Sequence, residues 1–95
     1  MKPDETICHA IKNRQQIEFV YHDKYRKGNP QCYGLTKTGK PALRVHLMEG
    51  GDRPEQLFTL DKMIDLKVLS STFKSPGPNY HKGDADLPYI FCDLE

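Results

Sequence analysis

From Gln16 onward the apolar residues of this chain recur at every second position, and that period restricts the fold more than any other feature. Ile17, Phe19 and Tyr21 fall on one side of the first such run, with Gln16, Glu18 and Val20 on the other. Leu43, Val45 and Leu47 alternate in the same way with Arg44, His46 and Met48. Successive side chains of an extended strand point to opposite faces, so each run is a strand with one face buried. Only the first residues carry a different period. Ile7, Ala10 and Ile11 fall at i, i+3 and i+4, the stripe of a short helix. Pro3-Asp4-Glu5-Thr6 is a helix start, and the helix is expected to end near Asn13 or Arg14.

Turn residues divide the rest. His22-Asp23-Lys24 is a polar turn, and Thr36 to Lys40 is a hairpin turn in which Gly39 takes the left-handed position. A second strand is expected from Tyr25 to Leu35, interrupted at Gly28-Asn29-Pro30. Pro30 lacks an N–H and predicts an edge or a bulge. Glu49 to Glu55 is a loop, Gln56 to Leu60 a short strand and Leu66 to Leu69 another, with Asp61 expected to cap a single helical turn, Lys62-Met63-Ile64. Five short strands and one leading helix predict a mainly β fold, a small, partly open barrel rather than a sandwich. Its expected core is Ile17, Phe19, Leu43, Val45, Leu47, Phe58, Leu60, Ile64, Leu66 and Val68, plugged at one end by Ile7, Ala10 and Ile11.

The barrel with its helix occupies residues 1–73 and a tail residues 74–95. Lys74-Ser75-Pro76-Gly77-Pro78-Asn79 is irregular by composition. Tyr89-Ile90-Phe91-Cys92 is too apolar for water and is expected to fold back as a clasp, on a barrel strand or on a second copy of the chain.

The chain has 95 residues, enough for one core. No run approaches the roughly 18 apolar residues of a membrane span. The first residues are charged and lack a secretory signal, and three widely spaced cysteines, Cys8, Cys32 and Cys92, argue against a disulfide framework. Both observations point to the cytoplasm.

Net charge is +1, too little for strong non-specific nucleic-acid binding. The charge is nonetheless uneven. Residues 12–44 carry eight basic and two acidic side chains, and residues 45–95 five basic and nine acidic. This is either a mixed surface or a basic patch that receives an anion.

Catalytic patterns are missing: there is no phosphate-binding glycine loop, no HExxH and no nucleophile elbow. Cys8-His9 are adjacent and diverge on a helix, so neither a metal nor a cofactor is expected and the cysteines read as buried and inert. Arg44 and His46 share the polar face of one strand, with Tyr21, Arg26 and Tyr33 on strands expected beside it. Such a cluster can hold an anion or a nucleobase by charge-assisted hydrogen bonds and stacking. The competing reading makes the tyrosines cross-strand packing and leaves Arg44 solvated or paired with an acid such as Glu18.

Ile7-Cys8-His9-Ala10-Ile11-Lys12-Asn13-Arg14-Gln15-Gln16-Ile17-Glu18-Phe19-Val20-Tyr21 resembles the opening of the WYL domain family. Arg26 and Pro30 match its "R.v.P", and Leu57-Phe58-Thr59-Leu60-Asp61-Lys62-Met63-Ile64 is similar to its "rFrldRi", with Lys62 for the arginine. Pro30-Gln31-Cys32-Tyr33-Gly34 and the tail through Ile90-Phe91-Cys92 resemble a branch of short, stand-alone bacterial members. The resemblance covers Ile7 to Phe73. It implies an Sm-like, SH3-like barrel that senses a ligand, often a nucleotide or nucleic-acid fragment. Pro41-Ala42 stand where the family has Trp-Tyr, and no helix-turn-helix fits in the chain. The expected function is therefore a non-enzymatic regulatory module for a nucleotide or short single strand. Arg26, Arg44 and Lys62 would lie within one ligand's reach, with Tyr21, Tyr33 or His46 beside them. The alternative is a protein–protein adaptor working through the barrel edge or the clasp.

Overall fold

A computed structural model describes residues 4–51, 55–74, 77, 80 and 84–94. Pro3 of the helix start, residues 52–54 of the Glu49–Glu55 loop, and Ser75, Pro76, Pro78 and Asn79 of the irregular tail lie outside the described residues.

Helix α1 spans Glu5–Lys12, capped by Asp4, whose carboxylate accepts from the N–H groups of Thr6 and Ile7. It turns Ile7, Ala10 and Ile11 into the core. Six strands follow: β1 Gln15–Tyr21, β2 Lys24–Leu35, β3 Pro41–Glu49, β4 Glu55–Thr59, β5 Ile64–Thr72 and β6 Tyr89–Asp93, with a 3-10 turn, η1, at Leu60–Lys62. They form one antiparallel sheet in the order β4-β3-β2-β1-β5, with β6 joined to β2. The fold is mainly β, and the sheet is not closed. Among the described residues no helix is long and apolar enough to cross a membrane.

His22 and Asp23 both adopt positive φ, which makes the β1–β2 connection a two-residue hairpin of the twist-matching kind. Gly39 takes the left-handed position in the β2–β3 turn. Strand β2 runs unbroken through Gly28-Asn29-Pro30, and a bulge at Gln31 is visible in its register, where Pro30 opposes Val45 but Cys32 opposes Arg44. Pro30 falls where β2 has left β1, whose last partner is Gly28, and has not yet met β6, whose first partner is Cys32. Its missing N–H costs least there.

The bulge also reassigns faces, because one extra residue flips every side chain beyond it. Tyr33 opposes Leu43 and turns into the core, and Cys32 turns to the far side with Arg44. Beside it Gly34 admits β6: a Cβ there would collide with the Tyr89 carbonyl.

The core contains Ile7, Ala10, Ile11, Ile17, Phe19, Tyr33, Leu43, Val45, Leu47, Phe58 and Leu94, with Leu60, Leu66 and Val68 packed against it. Ile64 departs from expectation, being 54% exposed. Asp65 carries a positive φ, and β5 holds an extra residue between its pairings with Glu18 and Val20, so the bulge turns Ile64 outward. The turn after β4 also differs. η1 begins at Leu60, Thr59 is its N-cap without a side-chain bond, and Asp61 lies inside the turn rather than capping it.

The cysteines depart furthest from expectation. Cys8 of α1 and Cys92 of β6 form a disulfide, their Cα atoms 5.7 Å apart and 84 residues apart in sequence. Cys32 is free and buried. The cysteine count no longer supports a reducing compartment.

Candidate functional site

The six residues expected to share a ligand are divided between two faces of the sheet. Arg26 opposes Phe19 across β1 and β2, and so stands on the core side. Arg44 opposes Cys32 and Leu57, on the far side. They do not converge.

On the far side the C-terminal segment covers the strands. Arg44 grips Asp84 with two hydrogen bonds, Nε to Oδ2 at 2.8 Å and Nη2 to Oδ1 at 3.2 Å, and Nη2 also donates to Asp86 Oδ2 at 2.6 Å. The hydrogen bonds to Asp84, above all, hold the Arg44 proton more tightly than water does. Gln31 is fully buried and bridges two segments, donating to Glu55 Oε1 at 3.0 Å and accepting from the Gly77 N–H at 2.6 Å. His46 lies in the same seam with its Nδ1 buried and unpartnered, 3.0 Å from where a Cβ on Gly77 would stand. The basic half of the chain thus meets an acid, though in the tail rather than at Glu18.

Cys32 sits beneath this cover with Ala42 and Leu87. Burial first, and then the charges of Asp84 and Asp93, push its thiol up to about 11 from the ordinary 9.0. Below pH 9 both folded and unfolded chains keep the proton. Between pH 9 and about 11 the unfolded chain releases it while the folded chain does not, so stability should fall across that window. Urea unfolding should show a decline that Cys32→Ala lacks; parallel profiles for the two proteins would refute the assignment.

On the core side a different group assembles around Arg26. Its guanidinium lies over two rings, 5.5 Å from the Phe58 centroid and 5.9 Å from that of Tyr21. The rings continue as an edge-to-face ladder: His22 to Tyr21 at 4.6 Å, Tyr21 to Phe58 at 4.7 Å and Phe58 to Phe19 at 4.9 Å. The ladder runs from exposed His22 at the β1–β2 hairpin to buried Phe19. Gln56, two positions before Phe58 on β4, accepts from Arg26 Nη1 at 3.4 Å, and the Tyr21 carbonyl accepts from Nη2 at 3.3 Å. The Tyr21 hydroxyl shares a hydrogen bond of 3.2 Å with Thr59 Oγ1.

Arg26 is only 8% exposed, yet the contacts of its guanidinium are long, its Nε has no partner, and it meets no carboxylate among the described residues. A buried charge is costly unless paired. Among the described residues Arg26 therefore stands as a cation without a counter-charge, walled by aromatic rings.

Tyr33 belongs to neither group. It is 2% exposed, and its hydroxyl accepts from the Asp4 N–H at the start of α1. Lys62 lies exposed at the end of η1, three residues beyond Thr59. The structure thus joins Tyr21 and Arg26, leaves Lys62 at the adjoining turn, and removes Tyr33, Arg44 and His46 to other roles. Phe58, Gln56, Thr59 and His22 were missed. Phe58 and Gln56 share a strand face with period two, but only the curvature of the sheet brings that face over Arg26. Among the described residues no three of His, Cys, Asp and Glu gather where they would ligate a metal ion.

No family model matches the chain, and neither a curated protein nor a solved structure is detectably similar to it.

Proposed function

We propose that the protein is a non-enzymatic regulatory module that binds an anion carrying a flat ring, a nucleotide or the end of a short single strand, at Arg26. One observation carries this reading: nearly buried Arg26 holds its guanidinium over Tyr21 and Phe58 without a carboxylate among the described residues. A phosphate would supply the missing charge to the fork of N–H donors, and a base would stack on the aromatic ladder. Lys62, exposed at the next turn, would contribute a second cation. The reading agrees with the WYL resemblance and with the Sm-like or SH3-like barrel that it implies.

A second reading, a protein–protein adaptor, is favoured by the opposite surface. Tyr25, Val20 and Ile64 stand in register across β2, β1 and β5, and Tyr25 and Ile64 are exposed. The row ends at β5, an edge strand.

Thermal unfolding in a panel of nucleoside monophosphates and short oligonucleotides separates the two. At a hundred times Kd a ligand of the native state adds about 2.7 kcal/mol. Arg26→Lys should abolish the gain, because an ammonium cannot present the fork. Arg44→Lys should leave it intact, since Arg44 is engaged by Asp84 and Asp86. A panel in which nothing raises the Tm favours the adaptor.

A further inference from the structure

The disulfide lies in the wall of an opening. Cys8 and Cys92, both half-buried, line a cleft of about 560 Å³ together with Lys12, Arg14, Phe91 and Asp93. Lys12 stands one helical turn beyond Cys8, and the shared cleft places the two side chains on one face of α1. Arg14 adds a second positive charge, its guanidinium bonded to the Lys74 carbonyl.

We infer that this cleft is a thiol-exchange site, at which a small anionic thiol of the glutathione class opens the Cys8–Cys92 bond and forms a mixed disulfide on Cys92. The incoming thiolate attacks Cys92 Sγ. A new sulfur–sulfur bond forms, the Sγ–Sγ bond breaks, and Cys8 Sγ leaves with the electron pair as a thiolate, then takes a proton from water. Cys8 is the leaving sulfur because the departing negative charge develops beside Lys12. A second thiol attacks the mixed disulfide and releases Cys92, so that two thiols become one external disulfide and the protein gains a dithiol. Lys12 and Arg14, two positive charges against the one negative charge of Asp93 in the cleft, favour a thiol that carries its own negative charge over a neutral one.

The consequence is conformational. The bond is the cross-link between α1 and β6, and β6 is the end of the segment that covers Arg44 and Cys32. Exchange therefore removes the covalent anchor of that cover and leaves its C-terminal end held by the β2–β6 pairing and other non-covalent contacts.

The test uses the oxidised full chain under native conditions, incubated with reduced glutathione or with neutral 2-mercaptoethanol at equal thiolate concentration. After an acid quench, adducts are located by peptide mass spectrometry. Glutathione should add once, on Cys92, about fivefold faster than the neutral thiol, the advantage a single nearby charge gives at a wet surface. That advantage should vanish in about 1 M salt, and Lys12→Gln should reduce it. An adduct on Cys8, exchange only after denaturant is added, or equal rates for the two thiols at low salt would each overturn the inference. The salt series on the unaltered protein keeps it falsifiable if the variant misfolds.

Discussion

Removing the cross-link, as in the Cys8→Ala/Cys92→Ala double variant, should lower the unfolding free energy by about 4–5 kcal/mol and the Tm by roughly 20 °C. The bond joins residues 84 apart, so it closes almost the whole chain into one loop. In the unfolded state that closure removes much of the freedom the open chain would enjoy. The effect is large against the roughly 5–15 kcal/mol that holds a domain together. The open variant should also show a steeper dependence on urea, since its unfolded state exposes more surface than a cross-linked one. Equilibrium urea unfolding of variant and oxidised parent measures both. A difference in stability below about 1 kcal/mol would contradict the structural assignment of the bond.

Phe19→Ala should cost about 3–5 kcal/mol, the transfer energy of the ring plus the cavity it leaves. Phe19 is 1% exposed, packs edge-to-face on Phe58 at 4.9 Å and opposes Arg26 across the β1–β2 ladder. Its loss empties the floor of the aromatic ladder as well as the core, so the proposed anion binding should weaken along with stability. Ile64→Ala provides the contrast. The two residues look alike in the alternating pattern, but Ile64 is 54% exposed, and its truncation should stay within about 0.5 kcal/mol. Chemical unfolding of the two variants side by side decides it. Comparable losses would mean that β5 is not registered as described.

Periodicity made the helix and most strands legible, because each buries one face and a buried face leaves its spacing in the sequence. What period cannot show is a bulge. Gln31 and Asp65 each sit where one extra residue flips the side chains beyond it, sending Tyr33 into the core and Ile64 out to solvent. Pro30 signalled the first; Asp65, a non-glycine residue at positive φ, gave no sign of the second. The disulfide was illegible for another reason. Its two halves belong to the first and last elements, and a pairing over 84 residues has no local spacing. The same long range hid Asp84 and Asp86 as the partners of Arg44. The charge split between the halves was visible, but not which acid would meet which base. Arg26 and Tyr21 lie across a hairpin from each other, and that part of the candidate site was readable.

If Arg26 is the proposed anion site, its side-chain Nε–H is the direct reporter. This group is buried and has no hydrogen-bond partner among the described residues, so an anion that reaches it must change its surroundings. Heteronuclear NMR of the guanidinium Nε–H groups during titration with a nucleoside monophosphate should move the Arg26 resonance in a saturable way. The Arg44 resonance, held by Asp84, should stay in place. An Arg26 signal that does not respond while the Arg44 signal does would contradict the account and put the anion on the other face of the sheet.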